Sequence, residues 1–212
     1  GNAQDVHSHT PAVSGAPQGV PYFCANPSVT SIASGAWSDS KTWSTGKVPG
    51  ANDKIKIAAG HTVTLDTVSA ARLDCIEVDG ALRFATDANT SVKVGNLMVT
   101  EEGNLEVGTT ARPVASNITA EIIIADQPLD RTVDPGQIGT GIESLGKITM
   151  HGSVKSPTFV RLAREPNAGD MTLVLEGPVS GWLPGDRIVI PDTRQLRSNE
   201  RGPKYEPQDE EI

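Results

Sequence analysis

Apolar and polar residues alternate in short runs along most of this chain. Ile55 and Ile57 form one run, Val63 and Leu65 a second, and Ile76, Val78, Leu82 and Phe84 continue the pattern. A period of two puts every other side chain on one face of an extended backbone, so each run predicts a half-buried strand. β-Branched residues fill the runs, and Gly, Asn or Asp stands at the breaks. No window carries the 3.6-residue period of a helix; Ala70-Ala71-Arg72-Leu73 and Thr193 to Asn199 are single helical turns at most. Ala120 to Asp126 is apolar almost throughout, which predicts a strand buried on both faces. Thr172 to Leu175 reads as a further short strand, and Gly181 to Ile190 as a turn followed by a strand.

The runs repeat. Cys75 to Phe84 aligns with Met98 to Val107 at an offset of 23 residues, so that Ile76 meets Val99, Gly80 meets Gly103 and Leu82 meets Leu105. Gly60, Val63 and Leu65 form a looser copy upstream, and Gly146 to Met150 repeats the pattern downstream. A strand-Gly-strand unit of this length cannot bury its apolar face alone and must stack on copies of itself. The pattern predicts an all-β fold, a short right-handed parallel β-helix, with Gly at corners where a Cβ would restrict φ. The alternative is an antiparallel β-sandwich with similar hairpins. In a stack, Arg83 sits over Glu106 as an ion pair. Asp79 sits over Glu102, where like charges repel or mark a cation site.

Three parts follow from the composition along the chain. Residues 1–20 are rich in Pro, Gly and Ser without periodicity and read as a flexible arm. Residues 21–195 hold the β-structure, opening with Tyr22, Phe23 and Cys24 as a strap over it. Residues 196–212 are charged, and Ile212 reads as the start of a continuation. Within the β-region, Gln127 to Leu145 is a long Asp-, Pro- and Gly-rich loop, of a length that is either functional or disordered.

Charge narrows the partners. The chain has 18 basic and 26 acidic residues, a net charge of -8, and no basic cluster, which argues against nucleic acid and anionic membrane surfaces. No apolar run is long enough to span a bilayer, so no membrane insertion is expected. Aromatic residues make up only 4%, so Val, Ile, Leu and Ala must build the core. Cys24 and Cys75 have neither CxxC nor zinc spacing. They are either two buried thiols or one disulfide tying the N-terminal segment to the core, the latter favoured in a secreted protein.

The stretch from Ala36 to Asp66 carries a further signature. Trp37-Ser38-Asp39, Thr42-Trp43, Val48-Pro49-Gly50 and Asp53 follow one another ahead of the first strands. Gly103 to Gly108, Arg112-Pro113, Ala120 to Ile124 and Gly146 to Gly152 come later in order. This succession resembles the G8 domain over about residues 32 to 195, and the low cysteine count and tight loops suit a bacterial member. The resemblance implies an extracellular β-helical domain, in secreted or cell-surface proteins, set beside further β-helix repeats of the same chain. Binding or depolymerisation of hyaluronan is associated with part of the family.

Candidate residues have bland readings beside functional ones. Trp37 and Trp43 can stack on sugar rings as ligand-binding residues, or cap the solenoid core. Asp39, Asn52 and Asp53 offer hard oxygen ligands for Ca²⁺, or fix turns by accepting backbone N–H groups. His151 can act as a base near neutral pH and Arg112 can hold a uronate carboxylate; both equally suit turns. Asn89-Thr90-Ser91 and Asn117-Ile118-Thr119 fit glycosylation acceptors in a eukaryotic secretory host. No nucleophile-elbow, Walker, dinucleotide or HExxH motif is present. The expectation is therefore a non-catalytic extracellular module that needs no cofactor. It binds a polysaccharide or cell-surface glycan, or caps and scaffolds a larger β-helix. The alternative is the N-terminal part of an enzyme degrading hyaluronan or a uronate polymer, with His151 and Arg112 contributing to catalysis.

Overall fold

A computed structural model describes residues 21–128, 131–132, 134–191 and 210–211. The expected arm at 1–20, the helical turn at 193–199 and most of the 196–212 tail lie outside the described residues. The chain divides into two compact units, residues 1–153 and 154–212.

In the first unit the chain alternates between two sheets. Strands β1 (Val29–Thr30), β3 (Lys54–Ile57), β5 (Val68–Val78), β7 (Thr90–Val99) and β10 (Gly141–Ser144) lie side by side in that order. Strands β2 (Gly35–Ala36), β4 (Thr62–Leu65), β6 (Ala81–Phe84), β8 (Asn104–Val107) and β11 (Lys147–Met150) form the second sheet. Strand β9 (Ala120–Ile124) joins the first sheet beside the N-terminal half of β7, and β10 lies beside the C-terminal half. Every pairing in both sheets is parallel, so the antiparallel arrangement considered as the alternative does not apply to them.

The register explains the alternation. Val29, Ile55, Ile76, Leu97 and Ile142 form one ladder of inward side chains in the first sheet. Val63, Leu82, Leu105 and Ile148 form its counterpart in the second. These ladders meet in one core that also takes in Trp37, Trp43, Leu65, Phe84 and Val107. The second sheet keeps the 23-residue offset, with Leu82 on Leu105 and Arg83 on Glu106. The first sheet does not: Ile76 meets Leu97 rather than Val99. The turn before β8 is two residues longer than the turn before β6, and it absorbs the difference. Asp79 accordingly bonds Lys56 at 2.6 Å, in place of the like-charge contact expected with Glu102.

Three further expectations change. Ala70 to Leu73 is part of β5, because its backbone pairs with β7. The loop expected over Gln127 to Leu145 contains β10. Strand β9 is not buried on both faces; Ile123 and Ile124 are 42% and 38% exposed, since β9 lies at the margin of the sheet. The corner glycines act by close approach. A Cβ at Gly103 would lie 2.0 Å from the Val78 carbonyl oxygen, and one at Gly146 would lie 2.1 Å from that of Thr100.

The second unit is sparser. Ser156 bridges Ser180 and Leu162 bridges Leu175, both antiparallel, and β12 (Val189–Ile190) pairs antiparallel with β13 (Glu210–Glu211). The Thr172 to Leu175 strand reduces to that one bridge. Trp182 donates its indole N–H to the Pro157 carbonyl at 3.0 Å, and Lys155 pairs with Asp186. None of residues 154–191 is buried.

Candidate functional site

The first sheet turns polar residues outward, some of which nevertheless end up buried. Lys56, Glu77, Met98 and Glu143 stand in one outward column, and Cys75 and Asn96 in the next. Their alternation with inward Ile76, Val78, Leu97 and Val99 follows from the strand period. Exposure of Glu77, Met98 and Asn96 is 2%, 2% and 5%, because two segments cover this face.

The first cover is the segment from Tyr22 to Cys24. Cys24 and Cys75 form a disulfide with a Cα–Cα separation of 5.4 Å, one of the two pairings left open by the sequence. Both half-cystines pack against Met98, with Tyr22 and Phe23 beside them. The Tyr22 hydroxyl donates to Glu77 Oε2, and Lys56 Nζ donates to Glu77 Oε1 at 2.8 Å. One buried carboxylate is thus satisfied by a phenol from the strap and an ammonium from the neighbouring strand, as a buried charge requires. Burial and then the Glu77 bond push the Tyr22 phenol up to about 12. Burial pulls the Lys56 ammonium down, but its bonds to Asp79 and Glu77 outweigh that and hold it above its ordinary value.

The second cover is the excursion between β9 and β10. Asn96 Nδ2 donates to the Gly139 carbonyl at 3.0 Å and to Glu143 Oε1 at 2.9 Å. Asp134, also buried, accepts the amides of Ile138 and Gly139 at 3.0 and 2.8 Å. Burial, and then the charge of Asp134, pushes the Glu143 carboxyl up to about 7 against the bond from Asn96.

The residues singled out in the sequence are dispersed. Trp37 and Trp43 are fully buried, with ring centroids 5.0 Å apart in an edge-on contact, so neither presents a face on which a sugar could stack. Asp39 accepts the Lys41 amide as the cap of a 3-10 turn (Ser40–Thr42). Asp53 accepts the Gly50 amide at 2.7 Å and the Ser28 hydroxyl at 2.8 Å. Both carboxylates are thus engaged in fixing turns, and among the described residues no group of three or more His, Cys, Asp or Glu is placed to share a metal ion.

Arg112 and His151 lie near one another in the fold. The turn from Thr109 to Arg112 closes on mutual backbone bonds of 2.9 and 3.1 Å, and two residues later the Val114 amide donates to the His151 carbonyl at 2.8 Å. The two residues therefore share one exposed corner, beyond the ends of β8 and β11. They are fixed through backbone, and the two outer-face clusters were not foreseen. Nothing in the sequence pattern around Glu77 and Asn96 singles them out; the covering segments bury them.

Stacked parallel strands with this covered face define an all-β module. The chain belongs to the G8 domain family, which it matches over residues 42–163. It is similar to fibrocystin of Canis lupus familiaris, 30% identical over 172 residues, covering 78% of this chain and 4% of that protein. Fibrocystin-L of Homo sapiens is 28% identical over 163 residues, 77% of this chain and 4% of that protein. Protein rliB of Dictyostelium discoideum is 27% identical over 161 residues, 73% of this chain and 14% of that protein. This chain thus spans a small fraction of the relatives it matches. No solved structure matches it significantly. Among the described residues no helix is long and apolar enough to cross a membrane.

Proposed function

We propose that this is an extracellular end module: a short right-handed parallel β-helix that closes one end of a longer solenoid and offers its other end as a template. Right-handedness follows from the strong rule for parallel crossovers. The observation that carries the reading is the asymmetry of the inward ladders. Their first members are sealed, with Val29 at 2% and the Trp37–Trp43 plug at 0% exposure. Their last members are not. Ile142, Ile148 and Met150 are 39%, 38% and 50% exposed, although their ladder partners Leu97, Leu105 and Val107 are buried. Inward apolar side chains left open at one end are what a further coil would cover. The disulfide and the fibrocystin likeness support an extracellular setting. A glycan partner, or a share in a polysaccharide-degrading enzyme, would use the exposed Arg112–His151 corner.

The test is amide exchange of β10 and β11 in this chain alone and in a chain extended at its C-terminal side by further β-helix coils. The reading expects protection of Gly141–Ser144 and Lys147–Met150 to rise in the longer chain. Equal protection in both would overturn it.

A further inference from the structure

Two Asn-x-Ser/Thr triplets meet at the corner where β9 joins β7. Thr90 opens β7, Ala120 opens β9, and the two are register partners. One residue earlier, Thr119 is held from both sides. Its carbonyl accepts the Thr90 amide at 2.9 Å, and its amide donates to Asn89 Oδ1 at 2.9 Å. The first triplet, Asn89-Thr90-Ser91, is thus bonded to the last residue of the second, Asn117-Ile118-Thr119.

The contact leaves the two triplets unlike. Asn89 is exposed, but its carboxamide fixes the entry to β9, and the next two residues are strand. Thr90 is 1% exposed and Ser91 6%, and the Ser91 amide donates to the Thr67 carbonyl at 3.2 Å. The second triplet lies outside any strand. Ser116 and Asn117 are the central residues of a turn, closed by the Ile118 amide donating to the Ala115 carbonyl at 3.0 Å. Asn117 and Thr119 are both exposed, and among the described residues neither side chain has a hydrogen-bond partner.

We propose that Asn117 is an N-glycosylation site of this chain, and that Asn89 is not used although it heads the same kind of triplet. An acceptor needs the Asn carboxamide and the hydroxyl two residues on within reach together, as on a surface loop. A lipid-linked oligosaccharide diphosphate supplies the sugar. Nδ2 of Asn117 bonds to the anomeric carbon and gives up one proton, while the anomeric C–O bond breaks and the lipid diphosphate leaves. Nothing in the fold closes this acceptor. At Asn89, transfer has to finish before β7 pairs with β9 and buries Ser91. The proposal rests on the extracellular reading above. The relatives it draws on, from Canis lupus familiaris, Homo sapiens and Dictyostelium discoideum, belong to eukaryotes.

The test is expression of the whole chain behind a secretory leader in an animal cell line. Enzymatic release of the glycan in heavy-oxygen water converts its Asn to a labelled Asp, which peptide mass spectrometry locates. The label is expected at Asn117 and not at Asn89. Asn117→Gln is expected to abolish the glycan, and so is Thr119→Ala, which keeps the asparagine and removes only the hydroxyl. Asn89→Gln is expected to leave it in place. Transfer takes place inside the cell, so retained chain is read in the same way, and a failure of secretion counts against the extracellular reading alone. An unlabelled Asn117, or an Asn89 labelled as fully as Asn117, would overturn the proposal.

Discussion

The indole N–H of Trp43 donates to the backbone carbonyl of Trp37 at 2.8 Å, while the indole N–H of Trp37 is buried without a partner. Two residues of one type, in contact and equally buried, are therefore unequal energetically. Replacing Trp43 by Phe removes a buried hydrogen bond as well as ring volume. Replacing Trp37 by Phe removes a donor that had no bond to lose. Trp43→Phe is expected to cost about 1–2 kcal/mol more than Trp37→Phe, the difference being a hydrogen bond plus an unsatisfied carbonyl. Urea unfolding of the two variants measures it, and a costlier Trp37→Phe would contradict the account. Truncation of either to Ala is expected to cost about 3–5 kcal/mol.

The disulfide is the second lever. It joins residues 51 apart, and both half-cystines are buried. Closing a loop of that length in the unfolded chain is worth about 4 kcal/mol on the chain-entropy account. The Cys24→Ala, Cys75→Ala double variant is expected to lose roughly that much. It should also free the strap, so that the Tyr22 phenol titrates nearer its ordinary value than the present value of about 12. Ultraviolet titration of the tyrosines reads this directly. A Tyr22 still held near 12 in the double variant would mean that Glu77 alone secures the strap.

How far the sequence led can be seen at two places. The alternation of Ile55, Ile57, Val63 and Leu65 gave their strands correctly, because one face of each is core and the period records it. The outward side is different. Glu77, Asn96 and Glu143 occupy polar alternates like any solvent-facing residue. The burial of Glu77 and Asn96, and the partial burial of Glu143, come from the Tyr22–Cys24 strap and from residues 134–139, whose landing places depend on a disulfide and on side-chain bonds across long sequence separations. Likewise, a 23-residue alignment holds where strand follows corner directly, at Leu82 and Leu105. It fails across a turn two residues longer, where Ile76 meets Leu97. Trp43 lies within the stretch that matches the family, and Trp37 just before it. Only the packing decides between a plug and a sugar platform.

Gly103 tests why glycines punctuate the repeat. An added methyl group would lie 2.0 Å from the Val78 carbonyl oxygen and 3.1 Å from backbone atoms of Thr100. All are main-chain atoms, so relief requires the strands to move apart. Gly103→Ala is expected to cost about 3 kcal/mol, the upper end of the overpacking range. Gly60→Ala meets nothing within 4 Å and should suffer only from its φ of +80°, about 1 kcal/mol. Thermal unfolding of the pair distinguishes close approach from backbone conformation; equal losses would point to conformation alone.

Glu143 sets an unusual pH trend for stability. Its carboxyl is raised from 4.5 to about 7 in the folded chain, first by burial and then by Asp134. The folded state therefore holds a proton that the unfolded state has released between those values. Stability from this group is fully present below the unfolded value and is lost as pH rises through the folded one. That is opposite to a salt-bridged carboxylate, which loses stability as pH falls. The group is only partly shielded from water, so the effect is discounted to the order of 1 kcal/mol, or about 2–4 °C in melting temperature for a chain of this size. The melting temperature of wild type minus that of Glu143→Gln, followed across the window, isolates this contribution from the other acids. The difference is expected to fall as pH rises through the window and to flatten above about 7. A difference that stays constant, or that grows with pH, would show that Glu143 is ionised in the folded chain throughout.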